Sequence, residues 1–358
     1  MGYLRAFVIL LGFLEVTCQS TETAAGADWR KVDGANGAPT GTPLLRNLLK
    51  GYGARPSWKV AGVDYSVGVP RGAQLKDPAT ISVPGVEVDA ASHRIIIRGN
   101  HVTLSGYDFG LAGGWGTYIA QGATNIVIAD SNFLVGANNS IPVNAAAGSG
   151  DLTVLSSSFA GSGSHGDVWA LINYNGSGTF IAKYNLFLDA PDDAIDFNSG
   201  RMTTIVMYNL FTNLGTNPGS HPDPVQYVGV QSSNSIMAFN TIHQPNPSGM
   251  QGIQLQAQNG SVLDNTTIAN NTIVAKAGAG MKMSYSIAVI QDPGNTINGA
   301  VVERNYIDCG GAYGPFYPPT GSNLTFRGNV DMLSGRSLDV SYRIGHGLEG
   351  NPWLIPRN

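Results

Sequence analysis

The sequence is poor in charge and cysteine, and it has no long apolar segment. Only 12% of its 358 residues are charged, and the net charge of −4 gives no general basic surface. Nucleic acid is therefore a poor candidate partner. No run approaches the ~18 unbroken apolar residues of a membrane-spanning helix, which argues against a membrane span. Glycine (47 residues) and asparagine are abundant instead, and this bias favours many tight turns and an all-β fold.

The N-terminus has the layout of a secretory signal. One early arginine precedes an apolar run from Ala6 to Leu14, and a small-residue stretch ends at Ala27. We therefore expect residues 1–27 to be removed and the protein to be secreted or periplasmic. Their removal takes away Cys18 and leaves Cys309 alone, so packing and strand ladders must hold the mature fold without an intrachain disulfide.

A short phrase recurs along the chain at intervals of roughly 23 to 34 residues, which indicates a solenoid. Its last residues are Phe109, Phe133, Phe159, Phe187, Phe211, Ile242, Ile273, Ile307 and Val330. Each phrase follows a β-branched run such as "TTIVM", which predicts a short strand. Asparagine takes one equivalent position in five repeats, where stacked amides can hydrogen-bond from coil to coil. These asparagines are Asn185, Asn209, Asn240, Asn271 and Asn305.

The repeat also sets the predicted domain boundaries. Residues 80–340 are assigned to a parallel β-solenoid of about nine or ten coils. Residues 28–79 and 341–358 are expected to cover its two ends, because an open solenoid end exposes strand edges. Within the first of these regions, "TPLLRNLLKG" (Thr42–Gly51) predicts a short amphipathic helix.

Carboxylates are crowded into one apolar stretch, "APDDAIDF" at Ala190–Phe197. One aspartate before a strand is common turn chemistry. Alignment of "DVWAL", "DAIDF" and "DPVQY" on successive coils, however, stacks three aspartates at ~4.8 Å spacing. So many carboxylates within about two coil spacings must bind a cation or take up protons. The predicted metal or proton site consists of Asp167, Asp192, Asp193, Asp196 and Asp223.

Strand alternation predicts which side chains of the aligned segments point inward. One predicted inward column is Trp169, Ile195, Val225, Ile253 and Met281, and the next is Leu171, Phe197, Tyr227, Leu255 and Met283. The outward column between them is Ala170, Asp196, Gln226, Gln254 and Lys282. Two similar segments, "SHGD" and "SHPD", place His165 and His221 on coils that flank the acids, where histidine can act as base or acid.

The chain resembles the right-handed parallel β-helix proteins of the pectin-lyase-like superfamily over about residues 80–340. Asp167, followed one coil later by the run Asp192 to Asp196, is similar to the calcium-binding acids of calcium-dependent pectate lyases. The resemblance implies that the aspartates hold Ca²⁺, an ion that prefers several oxygen ligands. It further implies β-elimination of a uronic-acid-containing polysaccharide, in which metal neutralisation of the uronate makes the C5 proton removable by a base.

The sequence departs from that family in its basic residues. No lysine or arginine lies on the coil of Asp223, and Lys282 lies about two coils, or ~10 Å, beyond it. His221 is therefore the preferred base, Lys282 a catalytic candidate that addresses a neighbouring sugar, and Arg201 a clamp for a substrate carboxylate. The candidate substrate-binding residues are His165, Gln226 and Gln254.

Three other functions stay open at this point. Polygalacturonases share the fold and the order Asp167, Asp192-Asp193, His221, but the Arg-Ile-Lys motif is missing and Ser-His-Pro-Asp replaces Gly-His-Gly. A uronan C5-epimerase begins with the same proton abstraction as the lyase. A non-catalytic adhesin or sugar-binding β-helix is the third, and it would favour outward aromatic side chains, whereas Trp169 and Phe197 are predicted to point inward.

Overall fold

The computed structural model describes residues 42–136, 138, 141–161, 168–246, 248, 251–275, 283–308 and 312–338. Several predicted features lie outside these ranges. They are the secretory signal at 1–27, the C-terminal tail at 341–358, and three candidate site residues, His165, Asp167 and Lys282.

The described chain consists of short strands joined by tight turns. Two single-turn 3₁₀ helices, Pro78–Thr80 and Leu111–Gly113, are the helices of the described ranges. In chain order the strands are β1 (Val86–Asp89), β2 (Arg94–Ile97), β3 (Thr103–Ser105), β4 (Gly116–Ile119), β5 (Ile126–Ala129), β6 (Asn132–Leu134), β7 (Val143–Ala145), β8 (Leu152–Leu155), β9 (Ser158–Ala160), β10 (Ala170–Tyr174), β11 (Gly178–Lys183), β12 (Leu186–Leu188), β13 (Asp193–Phe197), β14 (Arg201–Met207), β15 (Leu210–Thr212), β16 (Val225–Tyr227), β17 (Gln231–Ser233), β18 (Ile236–Ala238), β19 (Thr241–His243), β20 (Gln251–Ala257), β21 (Val262–Asp264), β22 (Thr267–Ala269), β23 (Thr272–Val274), β24 (Tyr285–Gln291), β25 (Thr296–Asn298), β26 (Val301–Glu303), β27 (Tyr306–Ile307), β28 (Thr325–Arg327), β29 (Asn329–Asp331) and β30 (Ser337–Leu338).

Successive coils stack these strands into three long sheets. Sheet 1 has the order β1-β2-β4-β7-β10-β13-β16, and the pair β20-β24 follows it along the chain. Sheet 2 runs from β3 to β28, and sheet 3 runs from β6 to β30. Neighbouring coils pair in parallel, as β10 does with β13, whereas the terminal pairs β1-β2 and β29-β30 are antiparallel. The prediction of an all-β parallel solenoid is confirmed.

The repeated phrase builds the interior of the solenoid. Phe133, Phe159, Phe187 and Phe211 stack with ring centroids 4.7 to 5.1 Å apart, and all four are at most 1% exposed. Offset or parallel stacking of this kind adds to the free energy of burial. The equivalent positions of later coils carry isoleucine, which continues the apolar column.

The predicted asparagine ladder is also present. The Asn185 side chain donates to Oδ1 of Asn209 over 3.0 Å, and the same contact repeats from coil to coil up to Asn329. The residue before a ladder asparagine has a left-handed backbone, even where it is as bulky as Tyr184, Tyr208 or Phe239. That conformation is strained for large residues, so the buried amide contacts must stabilise the corner.

The described part of the predicted N-terminal cap lies along the side of the solenoid. The N–H of Ala54 donates to the carbonyl of Met332 near one end, and the carbonyl of Lys76 accepts from Asp108 N–H near the other. We call residues 42–76 the lateral strap. Its first part, Thr42–Gly51, forms successive turns, so the prediction of a helix there is wrong. Antiparallel β1 takes the outer position beside β2 at the N-terminal end.

Candidate functional site

The acids lie on sheet 1, where two successive coils begin their strands. Asp193 opens β13, Asp196 lies three residues further along, and Asp192 and Asp223 stand just before β13 and β16. The predicted register between these coils is confirmed, because Ile195 pairs with Val225, Asp196 with Gln226 and Phe197 with Tyr227. Asp193 therefore stacks on Asp223.

The predicted register of the coil before the acids is wrong. Ala170, not Asp167, lies opposite Asp193, a difference of three residues (170 against 167). An odd shift exchanges the two faces of a strand, so Trp169 does not point inward and its side chain is 39% exposed. The outward column on sheet 1 is instead Asn144, Asn173, Asp196 and Gln226.

The predicted register of the coil after the acids is wrong as well. Ala288, not Lys282, lies opposite Gln254, a difference of six residues (288 against 282). Ile287 and Val289 therefore take the inward positions that were predicted for Met281 and Met283. The predicted inward position of Phe197 is confirmed by its complete burial.

Asp193 and Asp223 form a buried carboxyl pair. Asp223 N–H donates to Oδ1 of Asp193 over 2.6 Å. Asp223 accepts from the N–H of Gln251 over 3.3 Å and from the Gln226 side chain over 3.2 Å. Burial raises the pKa of both carboxyls well above the usual range, and for Asp193 the neighbouring negative charges raise it further. The pair therefore favours holding a proton.

Asp192 and Asp196 each present a carboxyl oxygen without a partner. Oδ1 of each is buried and has no hydrogen-bond partner in the described part of the chain. Burial raises the pKa of Asp196 to about 6, although a hydrogen bond from the Asn198 side chain opposes the shift. Burial also raises the pKa of Asp192, against the opposing effects of the His221 charge and backbone N–H. Unpaired buried oxygens are costly, so these two atoms indicate a place for a ligand or a proton.

His221 lies at the edge of the cluster and faces solvent. Its side chain is 56% exposed, and its Nδ1 is 3.9 Å from Oδ2 of the fully buried Asp223. Its Nε2 lies 3.5 Å from Nε2 of Gln251. One side of the imidazole thus faces the buried Asp223 carboxyl, and the other side is exposed to solvent. This arrangement suits a base or acid that acts on a bound molecule.

The structure brings some of the other candidates to the acids and leaves others apart. Gln226 reaches Asp223 directly, whereas the Gln254 side chain donates to Gln256 over 2.7 Å. Arg201 is exposed and opens β14 on sheet 2. Within the described ranges it makes no hydrogen bond or ion pair with the aspartates, so its role as a clamp stays a prediction.

Sequence reasoning missed two residues near the cluster. Gln251 donates its N–H to Asp223, and its buried Oε1 lacks a partner among the described residues. Asn198 hydrogen-bonds Asp196 and donates to Oδ1 of Asn173 over 3.0 Å. The aligned segments put Gln251 after the aspartates in the same column, but its contact with Asp223 was not predicted. Asn198 lies beyond its strand, where alternation gives no signal.

The geometry of the acids bears on the predicted metal site. Among the residues that the structure describes, no group of three or more His, Cys, Asp or Glu side chains is arranged to hold a metal ion. The unpaired Oδ1 atoms of Asp192 and Asp196 are hard oxygen donors that suit Ca²⁺, but two such atoms do not form a complete site. Ca²⁺ therefore stays a prediction.

Comparison with known proteins supports the fold. Residues 170–331 match the family model described as a right handed beta helix region, and this range includes the acid cluster. No curated protein matches the chain, and no solved structure does. A right-handed parallel β-helix is compatible with a carbohydrate-active enzyme or a carbohydrate-binding protein.

None of the helices in the described ranges has the length and apolar character needed to cross a bilayer.

Proposed function

We propose that the protein is a carbohydrate-active enzyme that cleaves a uronic-acid-containing polysaccharide at the acid cluster. One observation carries this proposal: four neighbouring aspartates with raised pKa values lie beside a solvent-facing histidine. Strongly perturbed groups on one face of a scaffold are typical of catalytic sites. Structural aspartates in turns are usually solvated, and Asp193, Asp196 and Asp223 are at most 6% exposed.

β-elimination is the reaction that we propose first. His221 takes the C5 proton of the uronate, the electrons of that bond form the C4–C5 double bond, and the C4–O4 bond breaks. The departing O4 takes a proton from Asp193, the member of the pair that keeps some exposed surface, because its raised pKa favours the protonated form. Asp196, with a pKa of about 6, donates a hydrogen bond to the substrate carboxylate while it is protonated.

Glycoside hydrolysis is the second candidate, and the buried Asp193–Asp223 pair favours it. Two coupled carboxyls can divide the roles of general acid and nucleophile. Adjacent coils are only ~4.8 Å apart, a spacing typical of retaining enzymes. The protonated member therefore donates to the glycosidic oxygen while the ionised member attacks C1, and water then hydrolyses the resulting glycosyl ester. An epimerase would use the same base but return the proton to the opposite face of C5 without bond cleavage.

A non-catalytic binding protein is the competing class. The exposure of Trp169 removes the earlier objection that outward aromatic side chains are missing. The raised pKa values favour an enzyme, because binding alone does not require proton-holding carboxyls. We further propose a secreted or periplasmic location, which mass measurement of the protein recovered from culture medium or periplasm would test through loss of residues 1–27.

To test this proposal, the protein is incubated with polygalacturonate, alginate and hyaluronan. The absorbance of unsaturated uronate products and the concentration of new reducing ends are both measured. Absorbance and reducing ends that rise together support β-elimination, and reducing ends alone support hydrolysis. The D223N variant is the matched negative control, because it keeps the size of the side chain and removes its proton chemistry. If neither signal appears and the C5 configuration is unchanged, the proposed activity on these uronans is wrong.

A further inference from the structure

Trp169 is unusual among the large aromatic side chains of this protein. It is 39% exposed, and within the described ranges every phenylalanine and both other tryptophans are more buried. Trp58 packs edge-on against Phe239 and Tyr306, and Trp115 stacks on His93. Trp169 makes no such ring contact within the described part of the chain. A large apolar surface is thus left open to solvent, although the indole is the most costly side chain to leave there.

The backbone holds Trp169 beside the acid cluster. Its carbonyl accepts the N–H of Asp193 over 3.1 Å. Because Ala170 pairs with Asp193, Trp169 stands opposite Asp192, one coil spacing of ~4.8 Å away. Val168 and Ala170 on either side are almost completely buried. The two neighbours anchor the chain, so the exposed indole is attached to a fixed backbone.

The indole and Asp192 together offer two kinds of contact. A sugar ring has an apolar face of C–H groups and an edge of hydroxyl groups. The flat indole suits the face, and the carboxylate of Asp192, which is only partly buried, accepts a hydrogen bond from a hydroxyl at the edge. Ligand sites characteristically combine an aromatic surface with a few polar groups.

We propose that Trp169 is a sugar-stacking platform, which binds the ring of a glycan one coil to the N-terminal side of Asp192. This inference rests on the proposed function, since it adds a binding subsite to the acid cluster. It also places the chain of the substrate across the coils of sheet 1, with one sugar on Trp169 and the reacting sugar over Asp196 and His221.

Two variants test the platform, with kinetics on the uronan that wild type cleaves. W169A should raise KM about threefold to tenfold and leave kcat nearly unchanged, because stacking stabilises the ground state and the transition state alike. W169F should recover most of that loss, since it keeps an aromatic face. L333A is the matched control: Leu333 is 59% exposed, lies far along the solenoid and should leave KM as in wild type. Equal unfolding midpoints for all three variants exclude a folding defect.

The outcomes separate this inference from the proposed function. A wild-type KM in W169A, with uronan still cleaved, would overturn the platform and leave the active site standing. Trp169-dependent binding of a neutral probe, xylan or β-glucan, without cleavage of any uronan would support the platform and overturn the proposed activity. Absence of binding to both the uronan panel and the neutral glycans, measured by calorimetry, would overturn both.

Discussion

The backbone N–H of Asp223 donates to Oδ1 of Asp193 across two adjacent coils, over 2.6 Å. Gln251 N–H makes the same contact with Asp223 on the next coil. These aspartates therefore have a structural role, because each accepts a backbone N–H from the following coil. Among the described carboxyl groups of the cluster, Oδ1 of Asp192 and Oδ1 of Asp196 are buried without a partner. The column thus combines a structural ladder with two unpaired carboxyl oxygens.

The first prediction concerns the pH dependence of stability. Burial raises the pKa of Asp196 from 3.8 to about 6. Its neutral form is favoured in the folded protein, so its contribution to the free energy of unfolding is complete below pH ~4 and is lost as the pH rises through about 6. The loss from Asp196 alone is at most about 3 kcal/mol. In D196N, the free energy of unfolding measured with urea should decrease less between pH ~4 and ~7 than it does in wild type.

D89N is the control for this experiment. Asp89 is exposed, and a hydrogen bond from Ser92 lowers its pKa, so its effect on stability has the opposite sign. D89N should leave the wild-type fall in place. A wild-type free energy of unfolding that rises over the same pH range would contradict the prediction.

The second prediction is the binding of Ca²⁺. If Asp192 and Asp196 hold the ion, Ca²⁺ keeps them ionised and removes their destabilising effect above pH 7. A free Ca²⁺ concentration of about 100 times the Kd would add about 2.7 kcal/mol to the free energy of unfolding. The Tm should therefore rise by a few degrees, and a chelator should reverse the rise. The D192N/D196N double variant should show neither effect. An unchanged wild-type Tm at millimolar Ca²⁺, with no heat of binding, would rule the ion out.

Mg²⁺ is the matched control ion. It needs a smaller and nearly octahedral site and gives up its waters reluctantly. A few aspartate oxygens on a fixed sheet face should therefore select Ca²⁺. An equal rise of the Tm with both ions would indicate general screening of the negative cluster rather than a specific site.

The sequence was informative about the repeat and about the segments that resemble one another. The recurring phrase predicted the solenoid and its asparagine ladder, and the alignment of "DAIDF" with "DPVQY" placed Asp196 beside Gln226. It failed at β10 and β24, because the number of residues between successive strands differs from coil to coil and shifts the register. Periodicity reports which faces alternate, but it does not report how many residues a turn absorbs. Trp169 was misplaced for this reason.

The lateral strap could not have been predicted from local pattern. Its contacts join residues far apart in sequence, such as Tyr52, whose hydroxyl donates to Asp308 over 3.0 Å. The secondary-structure propensities of residues 42–76 do not specify which of the three sheets these residues cover. The structure places the strap near sheet 3, as shown by the bond from Val69 N–H to the Ser158 hydroxyl, and so leaves the acids of sheet 1 uncovered by it.

The third prediction concerns His221. Replacement by asparagine keeps a polar side chain but removes the base, so kcat on the cleaved uronan should fall about 100-fold or more, with little change in KM. H101N is the matched control, because His101 is exposed and its backbone φ of 57° is one that asparagine adopts readily. Full turnover by H221N would remove the histidine from the reaction.

The fourth prediction concerns the strap and its anchor, Trp58. The indole packs edge-on against Tyr306 at 5.2 Å and Phe239 at 5.9 Å, and it joins the strap to two coils of the solenoid. W58A should lower the free energy of unfolding by about 2–3 kcal/mol, less than a fully buried tryptophan would.

Amide hydrogen exchange locates that loss. The strap packs on the solenoid through a small apolar cluster that is separate from the main core. W58A should therefore speed exchange at strap amides such as Ala54 and Gly68, while the amides of the asparagine ladder keep their protection. L44A is the control, because Leu44 lies in the same strap but is 56% exposed. If amide exchange became faster by the same factor in the strap and in the asparagine ladder, the strap and the coils would unfold together as one cooperative unit. The strap would then be part of the solenoid core rather than a separate layer on it.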